Sequence, residues 1–192
     1  KLDEYLTSAN KFHKFNGNAL IVQQGKILLQ KSYGCKDFAT HTLNDSNTIF
    51  QIGSITKQFT ATVILKLQEE GKLSVNDKLD KYFPQFKHAN EITVENLLMH
   101  TSGIYNYTAD IDAEDSAIVC SPIDKRLMLD LMFKHNLDFK PGTQFRYDNS
   151  GYYLLGLIIE KVTGKSYEQN VRDIIFAPLQ MNHSLFDFKH SA

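Results

Sequence analysis

Apolar positions along this chain change their spacing several times, and each change marks an element. Leu2, Tyr5, Leu6, Ala9 and Phe12 recur at helical spacing, so the first dozen residues predict an amphipathic helix. The pattern then shifts to two β-rich runs, residues 19–23 and 26–33, joined by Gln24-Gly25, which predicts a hairpin. Ile49 and Phe50 lead into Gly53, after which Phe59, Val63, Ile64 and Leu67 mark a long helix that ends near Gly71, its apolar residues turned to the core. Thr93 reads as the N-cap of a helix through Leu97 and Leu98 that Gly103 terminates. Ser121-Pro122 followed by Asp124 predicts another helix, reaching about Asn136. The stretch between them, from Tyr105 to Cys120, is acidic and irregular, with Asp110, Asp112, Glu114 and Asp115. Pro141-Gly142 signals a turn ahead of a strongly helical run over residues 151–159. No internal repeat, low-complexity tract or linker divides the chain, so residues 1–192 are expected to form one domain.

Composition narrows the function classes only by exclusion. A chain of 192 residues can bury a real core. Its formal net charge of -1, with Lys and Asp/Glu interspersed, gives no reason to expect nucleic acid or an anionic membrane as partner. No run approaches the roughly 18 apolar residues of a membrane-spanning helix, and Lys1-Leu2-Asp3-Glu4 does not open a signal-peptide core. That is the appearance of a mature exported protein and of a cytoplasmic one alike. Two cysteines, Cys35 and Cys120, make neither a disulfide framework nor a zinc spacing, and they are read as free thiols. With no H-E-x-x-H or similar histidine cluster, neither a catalytic metal nor another cofactor is expected.

Candidate chemistry starts at Ser54-Ile55-Thr56-Lys57, directly after Gly53 and at the head of the long helix. Residues three apart share a helix face, with Cβ atoms roughly 5–6 Å apart, so the Lys57 amine can reach the Ser54 hydroxyl. A serine hydroxyl is a weak attacker at neutral pH until a neighbouring base activates it. The helix N-terminus adds a positive field that favours an oxyanion forming beside Ser54. By itself an S-x-x-K pattern is common, since many helices begin with Ser and carry Lys on a solvated face.

A second segment, Tyr147-Asp148-Asn149, lies between the Pro141-Gly142 turn and the helical run and has the form Y-x-N. Together the two motifs resemble those of the class C β-lactamase and low-molecular-weight penicillin-binding protein family of serine hydrolases, which includes esterases and D-amino-acid peptidases. Residues 97–104, Leu-Leu-Met-His-Thr-Ser-Gly-Ile, look like that family's LLxHTSG segment. Residues 139–147, Phe-Lys-Pro-Gly-Thr-Gln-Phe-Arg-Tyr, look like its F-x-PGT-x-F-x-Y run, and residues 160–167 like the segment that follows. The resemblance covers about Gly17 to Met181, and four ordered motifs over that span are far more specific than any one.

The resemblance implies an α+β, β-lactamase/transpeptidase-like fold: a helical region plus an antiparallel sheet of which only the N-terminal hairpin is present. It implies Ser54 as nucleophile, Lys57 and Tyr147 as the pair that takes its proton, and Asn149 holding Lys57 and donating to substrate. Free lysine and tyrosine both titrate near pH 10, so one of the two must be perturbed to work at neutrality. Asn106 and Tyr107, in the region that overhangs the family's cleft, are candidate substrate contacts, against the blander reading of an exposed loop. Substrates would be β-lactams, D-Ala-D-Ala-like peptides or simple esters. An extracytoplasmic location, periplasmic or secreted, follows by the same resemblance.

Departures carry equal weight. Asp148 stands where the family often has Ser or Ala, and an anion there would favour ammonium and disfavour phenolate. Gln180 stands where the family usually carries Gly and is read as neutral. No Lys-Thr-Gly or His-x-Gly occurs, although the family's third motif lines the far wall of the cleft. The chain is therefore expected to be an N-terminal portion, completed by a complementary C-terminal segment or by self-association, since a lone hairpin leaves backbone and an apolar face open. The alternative is a non-catalytic ligand-binding or interaction module that retains the fold.

Other motifs dissolve on inspection. Thr163-Gly164-Lys165-Ser166 ends like a phosphate-binding loop, but the required first Gly falls at Ile159 inside a helix, so it reads as a helix stop. No serine sits in a G-x-S-x-G frame. The sequons at Asn44, Asn106 and Asn182 are expected by chance, and His100 is read as a structural, hydrogen-bonded histidine.

Overall fold

The computed structural model describes residues 1–109 and 124–186. The chain divides into two compact units, Lys1–Gln51 and Ile52–Ala192. Among the described residues the architecture is α+β, with six α-helices and short antiparallel ribbons.

The first unit opens with helix α1 (Leu2–Lys11), whose acidic first turn suits the positive end of the helix dipole. Asp3 also reaches across to strand β2, bonding Lys31 Nζ at 2.7 Å and the Tyr33 hydroxyl at 2.9 Å. Strands β1 (Gly17–Gln23) and β2 (Lys26–Tyr33) pair antiparallel from Gly17 with Tyr33 to Gln23 with Lys26. Gln24 and Gly25 both take positive φ, 49° and 75°, as a two-residue turn of the type I′ hairpin requires. A second ribbon, β3 (Cys35–Asp37) with β4 (Thr42–Leu43), was not evident in the sequence because neither strand is long enough to show a period. Cys35 is a free thiol, and Cys120 lies outside the described residues. Leu20, Val22, Ile27 and Leu28 on the hairpin are each more than half exposed, 51% or above.

The second unit holds the main core. A 3₁₀ turn at Gly53–Ile55 leads into helix α2 (Thr56–Glu69), which buries Thr60, Val63, Ile64 and Leu67, the spacing of one helical face. Helix α3 (Val94–Leu98) starts at a reciprocal capping box: the Thr93 hydroxyl accepts from Asn96 N–H while Asn96 Oδ1 accepts from Thr93 N–H. Helix α4 (Lys125–Phe133) is capped by Asp124, whose carboxylate accepts from Arg126 and Leu127 N–H, and it stops short of Asn136; Ser121-Pro122 lies outside the described residues. Helix α5 (Asn149–Thr163) runs through the centre, with Asp148 as N-cap and Gly164 at φ 70° as the C-terminal stop. It packs on α2, α3 and the short helix α6 (Tyr167–Val171), which Ser166 caps. A π-turn, Arg172–Phe176, follows.

Two local expectations are corrected. Gly103 does not end α3. The helix stops at Met99, where His100 swings to φ 56°, while Gly103 has a different reason to be glycine: a Cβ there would lie 2.1 Å from the Phe139 carbonyl oxygen. Gln180 is not a neutral exchange, because its backbone sits at φ 54°, a conformation that glycine adopts without strain. Much of the core also comes from a segment without periodicity. Leu73, Leu79, Phe83, Phe86 and Ile92 are buried along irregular chain punctuated by 3₁₀ turns at Leu79–Lys81 and Ala89–Glu91. Phe86 stacks on Phe133 of α4 with ring centroids 4.4 Å apart. Among the described residues no helix is long and apolar enough to cross a membrane.

Candidate active site

Ser54 and Lys57 come from one tight piece of backbone. Gly53 takes φ 50° to turn the chain into the 3₁₀ turn that carries Ser54, and Lys57 follows in the first turn of α2. Lys57 Nζ donates to Ser54 Oγ at 3.2 Å. The opposite wall is the N-terminus of α5. Tyr147 precedes the extended N-cap residue Asp148 and places its hydroxyl 2.6 Å from Ser54 Oγ, while Asn149, the first helical residue, accepts from Lys57 Nζ at 2.8 Å. The Lys57 amine also lies 4.8 Å from the Tyr147 ring centroid and 5.6 Å from that of Tyr152, within range of a cation–π contact. Four side chains read from the sequence as a constellation therefore meet in one place. Ser54 is exposed and Lys57 half-buried, so the amine is less enclosed than a helix buried in the core suggests.

Asn106 and Tyr107 do not stand together at the site. Asn106 faces inward: its Oδ1 accepts from Asn149 N–H at 3.1 Å and from the Thr108 hydroxyl at 3.0 Å. Thr108 Oγ1 in turn accepts from Asn149 Nδ2 at 3.1 Å, so the carboxamide that holds Lys57 is itself held. Thr108 escaped the sequence reading. Its signal was the Asn-x-Thr spacing, taken only as a chance sequon. Tyr107, half-buried, bonds Ser150 Oγ through its N–H at 3.0 Å. It lines a cavity of about 580 Å³ that opens beside Ser54, Lys57 and Asn149 and continues past Tyr152 and Leu157.

Electrostatics follow from this packing. Lys57 first, and then the bond to Ser54, hold the Tyr147 phenol below the usual tyrosine range. Burial pushes Tyr107 and Tyr152 the other way. Asp148, expected to raise the phenol, contributes in that direction but is outweighed by Lys57. Its side chain is buried and turned into α5, accepting from Gly151 N–H at 2.7 Å with a long contact of 3.5 Å from the Ser102 hydroxyl. Burial raises its pKa to about 6. His100 is half-buried; burial, and after it the Lys57 charge, hold it below the usual imidazole range, and its Nδ1 accepts from Asp148 N–H at 3.2 Å. Among the described residues no group of three or more His, Cys, Asp or Glu is arranged to hold a metal ion.

Comparison with known proteins places this geometry among relatives. The sequence profile of the family described as Beta-lactamase matches residues 3–191. Teichoic acid D-alanine hydrolase of Staphylococcus aureus is 36% identical over 186 residues, a match covering 97% of this chain and 44% of that protein. The crystal structure of FmtA from Staphylococcus aureus aligns with a TM-score of 0.78 and 34% identity, covering 99% of this chain and 51% of the other. A D-stereospecific amidohydrolase from a Streptomyces species aligns with a TM-score of 0.62 and 37% identity, covering 69% of this chain and 43% of the other. The chain thus spans about half the length of the relatives it matches.

Proposed function

From the premise that the chain belongs to the Beta-lactamase family of hydrolases, we propose that it carries the nucleophile-bearing part of a serine hydrolase that releases D-amino-acyl groups through an acyl-enzyme on Ser54. One observation carries the reading: the Ser54 hydroxyl is bonded at once to a tyrosine hydroxyl at 2.6 Å and to a lysine amine at 3.2 Å.

In this mechanism Tyr147 starts as phenolate beside the Lys57 amine, and as Ser54 Oγ forms a bond to the substrate carbonyl carbon its proton passes to the Tyr147 oxygen, giving neutral phenol. The Lys57 ammonium, beside both, stabilises the charge that develops. Collapse of the tetrahedral intermediate breaks the bond to the leaving group, which takes the proton back from Tyr147. Water then attacks the acyl-enzyme by the same route and releases the acid. Of the two candidate bases, Tyr147 is favoured by its shorter bond to Ser54 and by the direction of its pKa. Asn149 fixes Lys57 through its carbonyl oxygen and keeps one amide hydrogen for substrate beyond the one given to Thr108.

The names of two relatives, a D-alanine hydrolase and a D-stereospecific amidohydrolase, support D-configured acyl esters or amides as substrate class. A cell-wall polymer bearing such groups would put the reaction outside the cytoplasmic membrane. β-Lactams, whose strained amide mimics a D-amino-acyl bond, serve as acylating probes.

The test is intact mass spectrometry after incubation with a reactive penicillin and, separately, with a D-alanyl ester. The expected result is a single covalent adduct that is absent from Ser54→Ala. A full-length protein that forms no adduct with either reagent would favour the binding-module reading instead.

A further inference from the structure

Tyr147 has a hydroxyl bonded to Ser54 but a side chain open to solvent, 44% exposed, so something beneath must keep it from swinging away. The candidate is His100, 47 residues earlier in the sequence, which grips the chain on both sides of Tyr147. Its carbonyl oxygen accepts from Arg146 N–H at 2.9 Å, and its Nδ1 accepts from Asp148 N–H at 3.2 Å. Between those two bonds its ring lies against the Tyr147 ring, centroids 4.6 Å apart, and also against Tyr152 at 5.0 Å. Phe145 closes the cluster edge-on at 6.0 Å.

The backbone makes the choice of residue informative. His100 sits at φ 56°, in the left-handed region where a side chain is strained and glycine is not. Stopping helix α3 there needs only glycine, yet this chain has an imidazole in that conformation. The strain is retained where the ring and its acceptor nitrogen do something glycine cannot.

We infer that His100 is a positioning residue: by holding the 146–148 backbone and the Tyr147 ring together, it sets the phenol against Ser54. The inference rests on Tyr147 acting as the proton acceptor in the proposed reaction. Neutral imidazole is required, because a protonated Nδ1 cannot accept from Asp148, and burial together with the nearby Lys57 favours that form. Displacing a reacting group by about 1 Å is enough to slow a reaction by about 100-fold, so loosening the tyrosine acts on rate rather than on binding.

The experiment compares His100→Gly and His100→Asn in three readouts: urea unfolding, the titration of Tyr147 from tyrosinate absorbance referenced to Tyr147→Phe, and the rate of Ser54 acylation by a penicillin. Glycine relieves the backbone strain but gives up the ring contacts and the Asp148 N–H bond, so His100→Gly is expected to stay folded with only a modest loss of stability. Its Tyr147 titration should nevertheless move up toward free tyrosine, and acylation should slow by about tenfold or more. Asparagine tolerates the left-handed backbone and offers Oδ1 as acceptor, so His100→Asn should acylate within about threefold of wild type. A His100→Gly protein with unchanged titration and acylation overturns the inference. Should the glycine variant fail to fold, a folded His100→Asn that acylates more than about tenfold slower than wild type overturns it equally. If wild type forms no Ser54 adduct but its Tyr147 titration still shifts in His100→Gly, the proposed function fails and the positioning role stands.

Discussion

The hydroxyls of Ser54 and Tyr147, 93 residues apart in the chain, lie 2.6 Å from each other, and the Lys57 amine donates to the serine from 3.2 Å. Hydroxyls so close form a hydrogen bond, and a cation beside them favours the state in which the phenol oxygen carries negative charge. In the proposed reaction Ser54 therefore depends on a residue from a distant segment, just ahead of α5, as much as on Lys57 one turn away.

Removing that cation should be visible directly. Tyr147 titrates below free tyrosine chiefly because of Lys57, so phenolate accumulates at a lower pH than the roughly pH 10 of the free residue. Lys57→Met should return the Tyr147 inflection to the ordinary range, read from tyrosinate absorbance by difference against Tyr147→Phe. Acylation of Ser54 should fall by at least about 100-fold at neutral pH. An unmoved inflection would show that Lys57 is not what tunes the phenol.

Asp148 offers a test of opposite sign. A carboxyl whose pKa is raised to about 6 on folding binds its proton more tightly in the native state than unfolded. Its contribution to stability is full below about pH 4 and is lost as pH rises through about 6, a change of about 3 kcal/mol. Asp148→Asn keeps an oxygen for the Gly151 N–H bond and removes the charge. The stability of Asp148→Asn relative to wild type should therefore rise between pH 4 and pH 7, measured by urea unfolding at each pH. A difference that stays flat across that window would mean that Asp148 ionises freely.

What the sequence could say followed the range of the interactions. Ser54 and Lys57 were legible because three residues of continuous helical turn fix their separation, and the cap at Thr93 is local as well, whereas Asp148 and Ser166 were not read as the caps they form. The pairing of Tyr147 with Ser54 crosses two elements and was legible only through the resemblance of whole motifs. Asn106 was a candidate substrate contact or an exposed loop residue, and its Oδ1 accepts from Asn149 N–H and the Thr108 hydroxyl, a direction set by donors that sequence spacing does not reveal. Leu79, Phe83 and Ile92 are fully buried without helical or strand spacing, since irregular chain buries whatever its turns point inward.

Gly103 was read as a helix stop because glycine after an apolar run usually is one. Its true constraint is the Phe139 carbonyl oxygen, 2.1 Å from where a Cβ would be, on a backbone already at φ 72°. The same approach is fixed by a bond from Asp138 N–H to the Gly103 carbonyl at 2.8 Å, so neither strand of chain can easily yield. Gly103→Ala should cost about 3 kcal/mol or more in urea unfolding, combining overpacking with left-handed strain. A loss below about 1 kcal/mol would place the constraint elsewhere.

Gln180 presents the mirror case. It follows the π-turn, where Met181 N–H bonds the Phe176 carbonyl at 2.8 Å and Gln180 N–H bonds Ala177 at 3.1 Å, and this closure requires the φ of 54°. The side chain is exposed and none of its polar atoms is bonded within the described residues, so nothing there offsets the conformational strain. Glycine removes about 1 kcal/mol of that strain and gives back part of it through the greater freedom of the unfolded chain. Gln180→Gly should therefore stabilise the protein by about 0.5 kcal/mol, seen as a higher urea midpoint at unchanged slope, with no effect on Ser54 acylation. A lower midpoint would mean that the glutamine side chain makes a contribution large enough to outweigh its own strain.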